Sequence, residues 1–166
     1  VSWSVRSDAQ CVTFFDDEAM FLASTPSPEL ESFETLTPDN AFVRDELVLP
    51  GFTMSFAPAG DTKGGVFDIP LGGAVYATHG SQYVAYQFSD PSILTFDFNS
   101  PKNAFGLTLT DVGFPNGGTL TFMNDAGDVA TVSMGAMPLG NQAFFGVINY
   151  EFDFTMVVLE LDDNTD

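Results

Sequence analysis

Histidine, cysteine, tryptophan and basic residues are all scarce in this chain. Its 166 residues hold one His, one Cys, one Trp and four Lys or Arg. The lone Cys11 cannot close a disulfide within the chain, and it reads as a small buried hydrophobe. A zinc centre needs several His or Cys ligands, so His79 and Cys11 together exclude one. Arg6, Arg44, Lys63 and Lys102 stand against 23 acidic residues, for a formal net charge of -19. Nucleic-acid binding draws on clustered cations that displace counterions from phosphates, and this balance excludes it. No stretch of about 18 apolar residues is present, so no membrane-spanning helix is expected. The opening "VSWSVRSDAQ" has no basic segment followed by an apolar one, so no signal peptide is expected there.

What is present is a well-cored acidic chain. Hydrophobic residues make up 45%, which excludes disorder by composition, and the acids are dispersed through the sequence rather than gathered in a tail. The length suits one domain over residues 1–166, with 1–10 as a candidate N-terminal arm. The negative charge favours divalent cations, basic partners and saline surroundings.

Only "DDEAMFLAS" reads as a helix, over residues 16–24. Asp16 or Asp17 can cap it, Glu18 suits its positive end, and Met20, Phe21 and Leu22 supply an apolar side before "TPSPE" breaks it. Elsewhere the period is two. Phe52, Met54 and Phe56 alternate, as do Val84, Tyr86 and Phe88, then Leu94, Phe96 and Phe98, then Phe105, Leu107 and Leu109. Pro101 and the turn formers after Thr110 bracket the last of these, leaving Gly106, Thr108 and Thr110 on the opposite face. "TLTFM" and "VATVSM" flank "NDAGD", a hairpin with its turn at 124–127. "FDFTMVVLEL" is apolar on both faces from Met156 to Leu159 and reads as a central strand. About ten strands and one short N-terminal helix indicate an all-β antiparallel β-sandwich, jelly-roll-like. The expected core includes Phe96, Phe98, Phe105, Leu107, Leu109, Phe122 and Phe154.

Catalytic patterns are sparse. Ser81 follows His79 by two residues without a Gly-x-Ser-x-Gly elbow, and His79 reads as a loop-tip residue. Glu151 and Asp153 would share a strand face and are the nearest approach to a hydrolase dyad, but they read as a solvated edge or sheet surface. No nucleotide-binding glycine pattern occurs, so no organic cofactor is expected. Calcium is the one suggested ion. Asp162, Asn164 and Asp166 alternate as an oxygen-rich loop does, and Glu34 could join them if first and last strands are neighbours. Trp3, Tyr76, Tyr83 and Tyr150 are the candidates for sugar stacking. Val1, Trp3 and Val5 alternate in a segment that could add as a strand to a neighbouring copy.

"FFDDEAMFLAS" followed by "ESFETL", then "ILTFDFNSPKNAFGLTLTDVG", "TLTFMNDAGD", "FFGVI" and "FDFTMVVLELDDNTD", resembles the secreted bacterial proteins that carry a PEP-CTERM-type sorting signal. The resemblance implies a jelly-roll-like sandwich exported to an exopolysaccharide matrix or a cell surface. The Pro-Glu-Pro tail is absent from these residues, as expected of a processed form. The resulting expectation is a non-catalytic extracellular matrix or cell-surface structural protein that self-assembles into filaments by strand addition. Its partners would be copies of itself and exopolysaccharide. A calcium-dependent carbohydrate-binding module is the alternative, and a glycan-active hydrolase is a distant third.

Overall fold

The computed structural model describes residues 12–57, 63–69, 77–86, 92–110, 117–135 and 142–161. Cys11, the proposed arm with Val1, Trp3 and Val5, and the acidic end with Asp162, Asn164 and Asp166 lie outside the described residues.

Alternating apolar sequence builds strands and one capped segment builds a helix. In chain order they are β1 (Val12–Phe15), α1 (Glu18–Ser24), β2 (Glu46–Val48), β3 (Phe52–Ala57), β4 (Gly64–Phe67) and β5 (Tyr83–Tyr86). After these come β6 (Ser92–Lys102), β7 (Ala104–Thr110), β8 (Gly118–Met123), β9 (Val129–Met134), β10 (Gln142–Asn149) and β11 (Phe154–Leu161). Six strands pair in the order β2-β3-β6-β11-β8-β9, three in the order β1-β10-β7, and β4 with β5. All these pairs are antiparallel. The all-β sandwich class follows, with one short helix as expected.

The two larger sheets meet through phenylalanine rings. Phe105 of β7 lies 5.0 Å from Phe96, 6.1 Å from Phe98 and 6.3 Å from Phe122, centroid to centroid, all three belonging to the six-stranded sheet. Phe122 and Phe154 pack edge to face at 5.1 Å and are fully buried, as are Phe145, Val147, Val157 and Leu159. The chain passes from one sheet to the other at Asn103, between β6 and β7, and again at 150–153, between β10 and β11. As expected from its double-sided apolar run, β11 is central, paired to β6 on one side and β8 on the other.

The hairpin stands where the sequence places it. Asn124 Oδ1 accepts from the backbone N–H of both Ala126 and Asp128 at 3.0 Å, and Gly127 takes a φ of +90°, which a glycine adopts without strain.

Three expectations need correction. Pro101 is not in a turn but lies within β6, which runs to Lys102, its pairing with β11 shifting between Phe154 and Met156. Its pairing with β3 ends at Phe98, so the proline removes no ladder bond on that side. Phe98, Phe105 and Leu107 are only partly buried, whereas Phe96, Leu109, Phe122 and Phe154 are core. For Phe105 and Leu107 the reason is position, since β7 is the outer strand of the smaller sheet among the described residues. β1 pairs with β10 rather than β11, so the first described strand and the last are not neighbours.

The helix differs too. Asp17 is the cap, its Oδ1 accepting from Met20 N–H at 2.8 Å, but only Phe21 is buried, and Met20 and Leu22 face outward. α1 lies on the outer side of the three-stranded sheet. Phe15, Gly146 and Gly106 face one another across β1, β10 and β7 and therefore point to one side. The Phe21 ring settles above the two glycines, 5.7 Å from the Phe15 ring and 5.5 Å from that of Phe144. A Cβ on Gly146 would fall 2.6 Å from Phe21 Cδ2, and one on Gly106 3.0 Å from Phe21 Cε1. The Gly/Thr face of β7, placed by the sequence opposite Phe105, Leu107 and Leu109, is thus contacted by the protein's own helix at Gly106.

Candidate functional site

Three places gather polar or unsatisfied groups. The first is the loop 77–82 ahead of β5. His79 Nε2 lies 2.6 Å from Glu18 Oε1 in the first turn of α1. Glu34 Oε1 accepts from the backbone N–H groups of Ser81, at 2.6 Å, and Gln82, at 2.7 Å, while its Oε2 accepts from Ser81 Oγ at 2.9 Å. These bonds, led by the Ser81 backbone, hold the Glu34 carboxyl below its ordinary value of 4.5. His79 and Ser81 are each directed to a carboxylate on another segment, which ties the loop down. Among the described residues no group of three or more His, Cys, Asp or Glu is placed to hold a metal ion.

The second place is the outer edge of β7. Its seven residues, Ala104–Thr110, carry no charge and no proline, and no strand pairs beyond them among the described residues. Phe105 and Leu107 pack on the core yet stay partly open at this edge.

The third is a cleft where the chain passes from β10 to β11. It holds about 290 Å³ and is lined by Asn103, Asn149, Tyr150, Glu151, Phe152 and Asp153. The apolar run of β10 ends in Asn149, which is 2% exposed. Its backbone N–H donates to the Asn103 carbonyl at 2.8 Å, and its side-chain Oδ1 accepts from Glu151 N–H at 3.0 Å. That second bond fixes the amide's orientation and leaves Nδ2 buried without an acceptor. Such an unmade donor costs about 1–3 kcal/mol. Tyr150 stands beside it, 62% exposed.

Glu151 and Asp153 lie in this turn and not on a strand face, but the structure does bring them to one cleft with Tyr150. Tyr83 is buried against Phe67 and cannot stack on a ligand, and Trp3 and Tyr76 lie outside the described residues. Asn103 and Asn149 were not legible as site residues. The only signal was an asparagine closing the run "FFGVIN". Comparison of the chain with protein-family models, with curated proteins and with solved structures finds no match.

Proposed function

We propose that this chain is a non-catalytic structural component of an extracellular matrix or cell surface that associates with copies of itself by strand addition along β7. The observation that carries the reading is the pairing of an uncharged seven-residue edge with core side chains, Phe105 and Leu107, that the domain leaves partly open. Natural edge strands are ordinarily blunted with charge, proline or a bulge. A strand added here would take up the edge's backbone groups and cover the flanks of both side chains. The alternating Val1, Trp3 and Val5 of a neighbouring chain are the proposed added strand. The resemblance to exported sandwich proteins and the excess of acids support an extracellular setting.

Charge sets the conditions. Two copies at -19 repel each other, and the screening length shrinks from about 10 Å at 0.1 M salt to about 3 Å at 1 M. Electron microscopy of the purified chain should therefore show fibres at high salt. Thr108→Lys with Thr110→Lys, which places charge along the edge, should leave monomers with an unchanged melting temperature. Deleting residues 1–7 should do the same. Wild-type monomers at high salt, or fibres that persist in the lysine variant, would overturn the reading.

A further inference from the structure

The strands that cover the six-stranded sheet fall into two groups. Tyr86 of β5 lies 6.3 Å from Phe56 of β3, centroid to centroid, and Phe105 of β7 lies 5.0 Å from Phe96 of β6. β3 and β6 are paired neighbours, so β4–β5 and β1-β10-β7 lie side by side over one sheet. Gly64 of β4 bridges Arg44 at the approach to β2, which leaves β5 as the member nearer β7. The two do not pair with each other. We infer that the seam between β7 and β5 is a slot for one strand, filled by residues 1–5 of a second copy, hydrogen-bonded to β7 with Val1, Trp3 and Val5 turned to the core. The inference rests on the strand addition proposed above and supplies its far wall.

Width favours a single strand. Among the described residues the large sheet has six strands and its covering layer three and two. Strands stand about 4.7–4.9 Å apart, so one more between β7 and β5 makes the two layers equally wide. Core-facing side chains on both walls are only partly buried, Phe105 and Leu107 on β7 and Val84 on β5. Alternating apolar side chains cover all three, and Ser2 and Ser4 then fall on the outer side beside Gly106 and Thr108.

The walls are tied to each other. Phe21 of α1 sits on Gly106 and Gly146, while Glu18 at the start of the same helix reaches His79, 2.6 Å away in the loop that leads into β5. The source of the strand follows from where the chain's own arm starts. β1 begins at Val12 on the far edge of its sheet, with β10 and β7 between it and the seam and α1 seated over both. A second copy meets no such barrier. A slot with two walls admits one strand, so copies join head to tail in single file, the arrangement that builds filaments.

The test is disulfide cross-linking between copies at high salt, in a Cys11→Ser background. One population carries Ser2→Cys or Ser4→Cys, the other Thr108→Cys on β7 or Ala85→Cys on β5. Oxidation should give covalent dimers with Thr108→Cys and Ala85→Cys alike, and the reduced variants should melt with wild type. Dimers with Thr108→Cys alone would overturn the slot while leaving strand addition along β7 standing, and dimers with neither would overturn both. A chain carrying Ser4→Cys and Thr108→Cys together that closes its disulfide as a monomer at low salt would assign the strand to the same copy and overturn the inference. Trp3, the single tryptophan, reads the same step without substitution. Its emission should shift to the blue as wild-type fibres form, and fibres with water-like emission would overturn its place in the slot.

Discussion

The ring of Phe21 rests on Gly146, so close that a single added methyl on the glycine would come within 2.6 Å of Cδ2. This contact explains how a helix of seven residues persists although only one of its side chains is buried. So short a helix is marginal alone, and docking must hold it. Gly146→Ala should therefore destabilise the domain by about 1–3 kcal/mol through overpacking. Phe21→Ala should cost about 3–5 kcal/mol. Combined, the two should cost less than their sum, because removing the ring relieves the methyl's contacts with Phe21 and leaves only that with Phe144 Cε1 at 2.8 Å. Urea denaturation of the two single variants and the double gives the answer, and strict additivity would refute the socket.

The phenylalanine rings between the sheets should not be equivalent. Phe122→Ala and Phe154→Ala remove fully buried rings and should each cost about 3–5 kcal/mol. Phe105→Ala should cost less in the monomer, since its ring is only partly buried at the edge of β7. In the assembled state the gap should close. Chemical denaturation of monomers at low salt, set beside thermal dissociation of fibres, measures both halves of the claim.

Acid should loosen the loop 77–82 and the segment around Asp39. Glu34 sits below its ordinary 4.5 because Ser81 and Gln82 donate to it. Asp39 sits below its ordinary 3.8 chiefly because Arg44 hydrogen-bonds to it. A carboxylate whose native value is depressed contributes stability that is complete above its unfolded value and disappears as pH falls through the native one. Stability should thus fall as pH drops below about 4.5, and Glu34→Gln should flatten that acid limb while lowering stability at neutral pH. Melting curves across this range decide it, and an unchanged pH profile in the variant would remove Glu34 from the account.

Much of the sandwich was legible because period-two alternation and turn chemistry are local signals. The hairpin between β8 and β9 needed only "NDAGD" between two alternating runs, and Asn124 and Gly127 do there what those residue types do in turns generally. The aspartate cap was equally local. Pairing order was not. Nothing in "AFGLTLT" says that β7 ends its sheet among the described residues, so Phe105 and Leu107 read as full core when that position leaves them partly covered. The glycine floor under Phe21 was hidden for the same reason, since Gly106 and Gly146 are 40 positions apart and meet only through register. Likewise the cleft joins Asn103 to Asn149 across a hydrogen bond that no spacing rule anticipates.

The placement of β11 bears on how the chain reaches its native state. β11 joins β6 to β8, and so links the three earlier strands of the six-stranded sheet to the β8–β9 hairpin, while β10 supplies the middle of the other sheet. During synthesis, at about 5–20 residues per second, β1 and α1 emerge well over a hundred residues before β10, the strand that seats them. Neither of the two larger sheets is complete on a nascent chain until its last strands arrive. Closure by such distant partners makes for slow folding, on the order of milliseconds to seconds, and refolding followed by tryptophan-independent circular dichroism should show it.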